Sequence, residues 1–412
     1  MSERYPGGLI RKTAPTVTGP TDGEGGSASG VWKLEDVGYY EEEGGWPKRT
    51  LPRELYSWGD NSEGQLGQNT ATTADLSSPV QVGALTDWSS IGAAKLFVTA
   101  ITTTNKLFSW GNNTSYGMLG LGDTVDRSSP VQVGALTNWE QTSGGNETCM
   151  AVKTDNTLWF WGRNAWGQRG NSTTTGDTNS PVQVGSDTDW ASVSTFGNSV
   201  VAVKTNGELY SWGLNSDGNL GHNDRVHRSS PVQIGSLSTW SKAVCGSSAM
   251  LAIKTDGTLW AWGQQQFDGK LGDNSKINRS SPVQIGSLTN WSSVDMSRHS
   301  AAIKTDGTLW TWGSADEGQL GHNNTSRRSS PVQVGSLSTW LQVSTGHYNC
   351  FSVRTDGTAW SWGNNTSGSL GLGDTVNKSS PVQIGSNTDW NSVVGSDGNT
   401  SQMAAYGITK GS

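Results

Sequence analysis

The sequence lacks the features that mark membrane-inserted, secreted and metal-binding proteins. No apolar run reaches the roughly 18 residues that a transmembrane helix needs, so we expect no membrane insertion. The first residues, MSERYPGGLIRK, have no apolar stretch of the kind found in a secretory signal. Only three cysteines occur, Cys149, Cys245 and Cys350, and their spacing fits no metal site. We interpret all three as buried thiols.

Positive charge is scarce too. The net charge is −7 and the isoelectric point is near 5.3, which argues against nucleic acid as the main partner. Only 32% of the residues are hydrophobic, but the chain contains 55 glycines and 21 tryptophans, against 6 phenylalanines and 6 methionines. A core made by this chain is therefore built largely on tryptophan.

Three sequence markers repeat in step along the chain, roughly 50 residues apart, a period typical of solenoids, propellers and arrays. An aromatic-x-Trp-Gly motif places its tryptophan at positions 58, 110, 161, 212, 262, 312 and 362. A Ser-Pro-Val-Gln motif places proline at positions 79, 130, 181, 231, 282, 331 and 381. A further tryptophan occurs at positions 88, 139, 190, 240, 291, 340 and 390. The chain therefore contains seven copies of one unit.

Each unit has the pattern of four short β-strands. Residues 300–313, SAAIKTDGTLWTWG, show two alternating runs joined at Asp306-Gly307, a strong hairpin signal because both residues tolerate positive φ. A glycine-rich loop, a strand PVQVG and a strand at the next tryptophan follow, without helical periodicity. We predict an all-β fold, a seven-bladed β-propeller of four-stranded blades.

The two ends of the repeat region complement each other. The first unit opens at ELYSWG, which is the second strand of the hairpin without its partner, and the chain ends with a strand like the first one. We predict that residues 403–408 pair with residues 55–58. The ring is then closed by both termini, which removes exposed sheet edges.

The repeat text LYSWGDNSEGQLG followed by SSPVQVG resembles the regulator-of-chromosome-condensation repeat family over about residues 54–410. The resemblance implies a seven-bladed propeller closed by both termini. Members of that family act in guanine-nucleotide exchange on a small GTPase, in chromatin binding or in protein binding such as β-lactamase inhibition. No catalytic residue is carried over, because no position matches one.

Residues 1–53 belong to no repeat, so we predict an anchoring arm with a linker there and the propeller over residues 54–412. Residues 13–30 have the Gly/Ser/Thr-rich composition of a linker. The residues that we expect to anchor the arm are apolar or aromatic: Tyr5, Trp32, Leu34, Val37, Tyr39, Tyr40 and Trp46. The arm either packs back on the propeller or docks on a neighbouring subunit.

The sequence of the arm is similar to N-terminal segments of virion proteins from marine and cyanobacterial phages. Tyr5-Pro6-Gly7-Gly8 carries the first part of this resemblance and Ser29, Gly30, Trp32 and Leu34 the second. Trp46-Pro47 carries the third. The resemblance implies a protein of the phage particle.

Neither a nucleophile motif nor a phosphate loop nor a pair of histidines at ligand spacing is present, so we expect no enzymatic activity, cofactor or metal. Recognition is better supported. Seven variable stretches, which begin at residues 92, 144, 195, 245, 296, 345 and 395, are expected at one end of the propeller near its axis. The side chains that we interpret as its binding face are Glu147, Phe196, Arg298, His299, His347, Tyr348 and, in a second variable loop, Trp166. Unselected drift of these loops is the alternative.

These observations lead to a functional hypothesis: a non-enzymatic virion protein, part of a tail, fibre or decoration, that displays the propeller on a phage particle. Its partners would be other virion proteins through the arm, and a host-surface glycan or protein through the binding face. The alternative is a soluble protein-binding propeller of the inhibitor or nucleotide-exchange type.

Overall fold

The computed structural model describes residues 3–5, 8–10, 52–69, 74–265, 268–398 and 402–411. The chain forms two compact units, residues 1–52 with 411–412 and residues 53–410. In the first unit, β1 (Glu3–Tyr5) and β2 (Gly8–Ile10) form an antiparallel pair with Tyr5 opposite Gly8. The other predicted anchoring residues, from Trp32 to Trp46, lie outside the described residues.

The second unit consists of seven four-stranded antiparallel sheets, which we call blades 1 to 7. In blades 2 to 7 and then blade 1, the first strands are β5 (Trp88–Ala93), β9 (Trp139–Gly144), β13 (Trp190–Phe196), β17 (Trp240–Gly246), β21 (Trp291–Met296), β25 (Trp340–Thr345) and β29 (Trp390–Gly395). In the same order, the second strands are β6 (Phe97–Thr102), β10 (Thr148–Lys153), β14 (Ser199–Lys204), β18 (Ala249–Lys254), β22 (His299–Lys304), β26 (Asn349–Arg354) and β30 (Ala404–Thr409).

The third strands carry the Trp-Gly motif: β7 (Leu107–Gly111), β11 (Leu158–Gly162), β15 (Leu209–Gly213), β19 (Leu259–Gly263), β23 (Leu309–Gly313), β27 (Ala359–Gly363) and β3 (Leu55–Gly59). The fourth strands carry the repeated proline: β8 (Arg127–Gln132), β12 (Thr178–Gln183), β16 (Arg228–Gln233), β20 (Arg279–Gln284), β24 (Arg328–Gln333), β28 (Lys378–Gln383) and β4 (Leu76–Gln81). The predicted all-β, seven-bladed architecture is confirmed. Among the described residues, no helical segment has the length and apolarity that crossing a membrane requires.

Burial explains the place of each strand in its blade. The second strands are buried along nearly their whole length, whereas the fourth strands are partly exposed. The fourth strand is the sheet edge, where a proline removes no ladder hydrogen bond. In the third strand, Gly59 has φ +97°, and a Cβ atom there would overlap the carbonyl oxygen of Met403. The Trp-Gly motif therefore needs glycine where this strand passes the neighbouring turn.

Blade 1 is made from both ends of the repeat region, as predicted. Strand β30 pairs antiparallel with β3, with Leu55 opposite Ile408 and Trp58 opposite Ala405. β29 and β4 complete the sheet, in the order β29, β30, β3 and β4.

Tryptophan joins neighbouring blades. Within the described residues, six of the seven Trp-Gly tryptophans donate their indole N–H to a backbone carbonyl of the preceding blade, for example Trp110 to Gln65 at 2.8 Å. The tryptophan that opens each blade meets its Trp-Gly partner at an angle, as Trp139 meets Trp161 with ring centroids 6.1 Å apart. The core clusters accordingly draw side chains from adjacent blades, and Val244 and Trp312 belong to one of them.

Candidate functional site

The propeller has two ends with different connections. At one end, which we call the upper end, the turn between the first and second strands of a blade meets the long loop after its third strand. The backbone N–H of Arg163 donates to the carbonyl of Glu147 at 2.9 Å, and Asn364 donates likewise to Tyr348. At the lower end, the turn after the second strand bonds the connection that enters the blade, for example Thr154 to Asn138 at 2.9 Å. All seven variable stretches include the upper turn of their blade.

The first strands surround a cavity of about 190 Å³ on the propeller axis. All seven blades contribute to its wall, which is lined by Ile91, Gly92, Ala93, Thr142, Ser143, Gly144, Ser194, Thr195, Phe196, Cys245, Asp295, Met296, Ser344, Thr345, Val394, Gly395 and Asp397. The start of each variable stretch lies in this wall. The variable stretches therefore begin near the propeller axis, as the sequence pattern predicts.

Three of the predicted binding residues form one cluster on blades 6 and 7. The guanidinium of Arg298 lies over the Tyr348 ring, 5.0 Å from its centroid, and donates a hydrogen bond to the Tyr348 hydroxyl. The rings of His347 and Tyr348 have their centroids 4.6 Å apart. Burial is the main reason that the pKa of His347 is lowered to about 4, and the charge of Arg298 is the second. This cluster, partly exposed, presents one cation and two aromatic rings.

His299 does not belong to this surface. It is 0% exposed, because β22 begins at this residue and is buried along its whole length. Within the described chain neither of its ring nitrogens has a hydrogen-bond partner. Burial lowers its pKa to about 3, so the ring is neutral at neutral pH. The prediction that His299 is displayed beside Arg298 is therefore wrong.

The remaining predicted residues lie elsewhere at the upper end. Glu147 forms an ion pair with Arg163 at 2.5 Å, and the Arg163 guanidinium lies 4.8 Å from the ring centroid of Tyr116. Phe196 is half-buried and packs against the core cluster between blades 4 and 5. Trp166 is 37% exposed on the long loop of blade 3 and contacts the edge of His227, with ring centroids 5.3 Å apart. Trp166 is thus the exposed aromatic that its irregular position predicts.

A second cavity, of about 450 Å³, lies on the outer side between blades 5 and 6. Trp310, Leu288 and Arg279 belong to its wall. The ammonium group of Lys304 lies 3.7 Å from the ring centroid of Trp310. One face of this indole is therefore already occupied by a cation, which leaves less of it for stacking with a ligand.

Sequence reasoning missed the charged groups of the axial wall. Asp295 and Asp397 line the cavity, and Lys242 lies on β17 beside it, with its Nζ 3.2 Å from the Ser293 hydroxyl. A comparison of the seven first strands could have found Asp295. If the opening tryptophan of each strand is residue 1, residue 5 is acidic only in blade 6. Among the described residues, no group of three or more His, Cys, Asp or Glu side chains is arranged to hold a metal ion.

Solved structures share this fold. Prp20p from Saccharomyces cerevisiae matches with a TM-score of 0.76 and 17% identity, over 93% of this chain and 95% of that chain. Human WBSCR16 matches with a TM-score of 0.75 and 16% identity, over 87% and 99%. At these identities the likeness shows the fold alone.

Curated relatives match over part of the chain. The Ultraviolet-B receptor UVR8 of Arabidopsis thaliana is 32% identical over 182 residues, which are 42% of this chain and 40% of UVR8. The E3 ubiquitin-protein ligase HERC2 of Homo sapiens is 28% identical over 180 residues, 42% of this chain and 4% of HERC2. The chain spans less than half the length of these relatives.

The family model for the regulator of chromosome condensation (RCC1) repeat matches five segments: residues 54–101, 105–152, 206–253, 306–353 and 356–401. Together these segments cover more than half of the chain, and each spans strands of two successive blades. The chain therefore belongs to the RCC1 repeat family.

Proposed function

We propose that this protein is a non-enzymatic, protein-binding propeller whose upper end is the binding surface. The observation that carries the proposal is the cluster of Arg298, His347 and Tyr348, which sits on turns of a rigid ring. Arginine and tyrosine are the residue types that most often anchor protein interfaces. Because the Tyr348 hydroxyl and ring already hold the guanidinium, little side-chain entropy remains to be lost on binding.

Relatives and structural neighbours support a protein-binding role. The structure of Prp20p is described together with its binding properties to Gsp1p and histones, and HERC2 is named a ubiquitin-protein ligase. Such partners are proteins, and the propeller fold is what this chain shares with Prp20p. A role in binding another protein needs only the displayed surface and no catalytic group.

Site-specific photo-crosslinking tests this proposal. A photoreactive phenylalanine analogue replaces Trp166 at the upper end in one variant and the exposed Leu237 at the lower end in another. We expect the first variant, in its native source, to crosslink one discrete protein that the second does not. Arg298→Ala should then abolish capture of the same protein by a propeller with the crosslinker at Trp166. Equal crosslinking from both ends, or unchanged capture in Arg298→Ala, contradicts the proposal.

A narrower proposal places the propeller on a phage particle. It rests on the sequence of the arm, whose Tyr5-Pro6-Gly7-Gly8 and Trp46-Pro47 segments resemble phage virion proteins. Sedimentation of the native protein with peptide mass spectrometry tests it, because a virion protein runs with intact particles. Deletion of residues 1–50 should then release the propeller from the particles. If the native protein instead runs as a free species near its mass of 43.7 kDa, the virion proposal is wrong and the protein-binding role stands alone.

A further inference from the structure

The axial cavity breaks the sevenfold repeat at one position. In the first strands, the fifth residues from blade 2 to blade 7 and then blade 1 are Gly92, Ser143, Ser194, Val244, Asp295, Ser344 and Val394. Six of these seven are neutral, and all but Val244 line the cavity. A repeat that only builds a ring has no need of one carboxylate facing its axis.

The hydroxyl groups at this level connect neighbouring first strands. Ser143 Oγ accepts the backbone N–H of Thr195 at 3.0 Å, and Ser194 Oγ accepts that of Cys245 at the same distance. Asp295 takes the same place in blade 6, since its Oδ2 accepts the backbone N–H of Thr345 at 2.7 Å. A serine makes this inter-strand bond without adding charge. The bond between the strands therefore does not need the negative charge of Asp295.

A second carboxylate faces the same cavity. Asp397 belongs to the upper turn of blade 1 and lines the cavity with Asp295. Burial and the nearby Asp295 raise the pKa of Asp397 well above its usual range, and burial raises the pKa of Asp295. Lys242 is a cation that acts on Asp295, and burial lowers its own pKa. Two carboxyl groups thus line the cavity, and Lys242 does not belong to its wall.

Thr345 supplies an independent sign that something polar occupies this space. Its side chain is 4% exposed and lines the cavity, and within the described residues its Oγ1 has no hydrogen-bond partner. Buried hydroxyl groups are nearly always paired, so an unpaired one in a cavity wall indicates a missing partner. Thr345 is also the residue whose backbone N–H bonds Asp295, so the two residues are neighbours in the cavity wall.

Three of the basic side chains at the upper end are held elsewhere or are neutral, while the charge of Lys95 on blade 2 acts on His347. Arg298 is held on the Tyr348 ring and hydroxyl. Lys270 donates to the carbonyl of Ser247, and its pKa is lowered by burial to about 8. His347, which bonds the backbone of Asp397, is neutral at neutral pH because its pKa is about 4.

We propose that the axial cavity binds a primary ammonium group between Asp295, Asp397 and the hydroxyl of Thr345. An ammonium group has three donors that match two carboxyl groups and a hydroxyl, and its positive charge favours the ionised form of both carboxyl groups. The cavity of about 190 Å³ admits an amine on a slender chain, supplied either by a free diamine or by a lysine side chain of a bound protein. This binding does not depend on the protein-binding role proposed above.

Titrations monitored by the methyl NMR signals of threonine test the site, because Thr345 and Thr195 both line the cavity. The probes are 1,4-diaminobutane and the peptide acetyl-Gly-Lys-Gly-amide. 1-Butanol and the same peptide with norleucine serve as uncharged controls. We expect saturable shifts at Thr345 and Thr195 with at least one amine and none with its control. Saturation by the diamine alone indicates a free amine as ligand, and tighter binding of the peptide indicates a protein lysine.

Isosteric variants decide the assignment. Asp295→Asn and Asp397→Asn keep an oxygen acceptor but remove the negative charge, and each should weaken amine binding by about tenfold or more, since the attraction between the ammonium group and a carboxylate is lost. Asp356→Asn removes an equal charge from an exposed turn at the lower end and should leave the affinity unchanged. Thermal unfolding of each variant verifies that the fold is intact. Absence of saturable shifts with both amines, or equal affinities in all three variants, overturns the proposal, and the crosslinking experiment is unaffected by either result.

Discussion

Trp58 donates its indole N–H to the carbonyl of Ser369, 2.9 Å away and 311 residues further along the chain. The same bond joins other neighbouring blades, as Trp110 and Gln65 show. Blade 1 therefore contacts blade 7 by the interaction that is repeated around the ring. Strand β30 pairs with β3, the strand that contains Trp58, so blade 1 is held both by this pairing and by the bond to blade 7.

Removal of residues 403–412 should abolish cooperative folding of the whole propeller. The deletion takes away β30, which is buried along its whole length and pairs with both β29 and β3. Strand β29 then loses its only ladder, β3 keeps only its ladder with β4, and the core of blade 1 is exposed. Circular dichroism during heating should show no cooperative transition. As a control, removal of only residues 411–412 should keep the transition, and a cooperative transition in the longer deletion contradicts this account of closure.

Replacement of a Trp-Gly tryptophan by phenylalanine should cost more where its indole N–H is paired. Trp110 bonds the carbonyl of Gln65, whereas Trp262, equally buried, has no partner for its indole N–H within the described chain. Trp110→Phe loses this bond, although the Gln65 carbonyl still accepts the Tyr406 hydroxyl at 3.0 Å, while Trp262→Phe loses no hydrogen bond. Urea unfolding should show Trp110→Phe less stable than Trp262→Phe by about 0.5–1.5 kcal/mol, the net contribution of one hydrogen bond. Equal destabilisation would mean that the indole bonds contribute nothing to joining the blades.

The fold could be predicted because three sequence markers repeat in step. The four strands of a unit follow from alternating residues and turn signals, and blade 1 follows from two incomplete hairpins at the ends of the repeat region. Burial of Cys149, Cys245 and Cys350 also agrees with the sequence interpretation. These features depend on the local residue pattern and on the spacing of the markers, and both occur seven times in the sequence.

The site was less predictable, because one residue decides whether a side chain is displayed or buried. Arg298 belongs to the turn and is partly exposed, whereas His299 next to it opens a strand with both faces covered. Asp295 looks like an ordinary polar residue of a half-buried strand. That it faces a cavity shared with Asp397 follows only from the closed ring, which brings together strands about 100 residues apart.

The three cysteine thiols should be unreactive in the folded protein. All three are buried, and burial raises the pKa of Cys149 to about 12 and also raises the pKa of Cys245 and Cys350. Thiolate formation is therefore suppressed at neutral pH, and a reagent too bulky for the axial cavity, whose wall includes Cys245, reaches the sulfur atoms only after unfolding. A disulfide exchange reagent should label none of the three in the native protein within the time that labels all three in urea. Leu341→Cys, at an exposed position of β25, should react at once and shows that the reagent is active. Rapid native labelling of Cys149 contradicts the burial.

His299 should make the propeller less stable as the pH falls. Its pKa is about 3 in the folded protein against an ordinary value of 6.5, so the unfolded chain takes up a proton that the folded chain excludes. Stability is therefore full above the ordinary pKa and is lost progressively between about pH 6.5 and about pH 3. At about pH 5 the contribution of this one group amounts to a loss of about 2 kcal/mol.

His299→Phe isolates this contribution, because Phe97 occupies the equivalent position in blade 2, opposite Gly111 as His299 is opposite Gly313. Urea unfolding of both proteins at about pH 7.5 and about pH 5 should show that the variant loses about 2 kcal/mol less than the parent protein. His347, whose pKa is also lowered, remains in both proteins; its charge acts on His299, but burial is the larger cause of the lowered pKa of His299. An identical pH dependence of the two proteins would show that His299 is protonated in the fold. The burial of a neutral imidazole without hydrogen-bond partners would then be wrong.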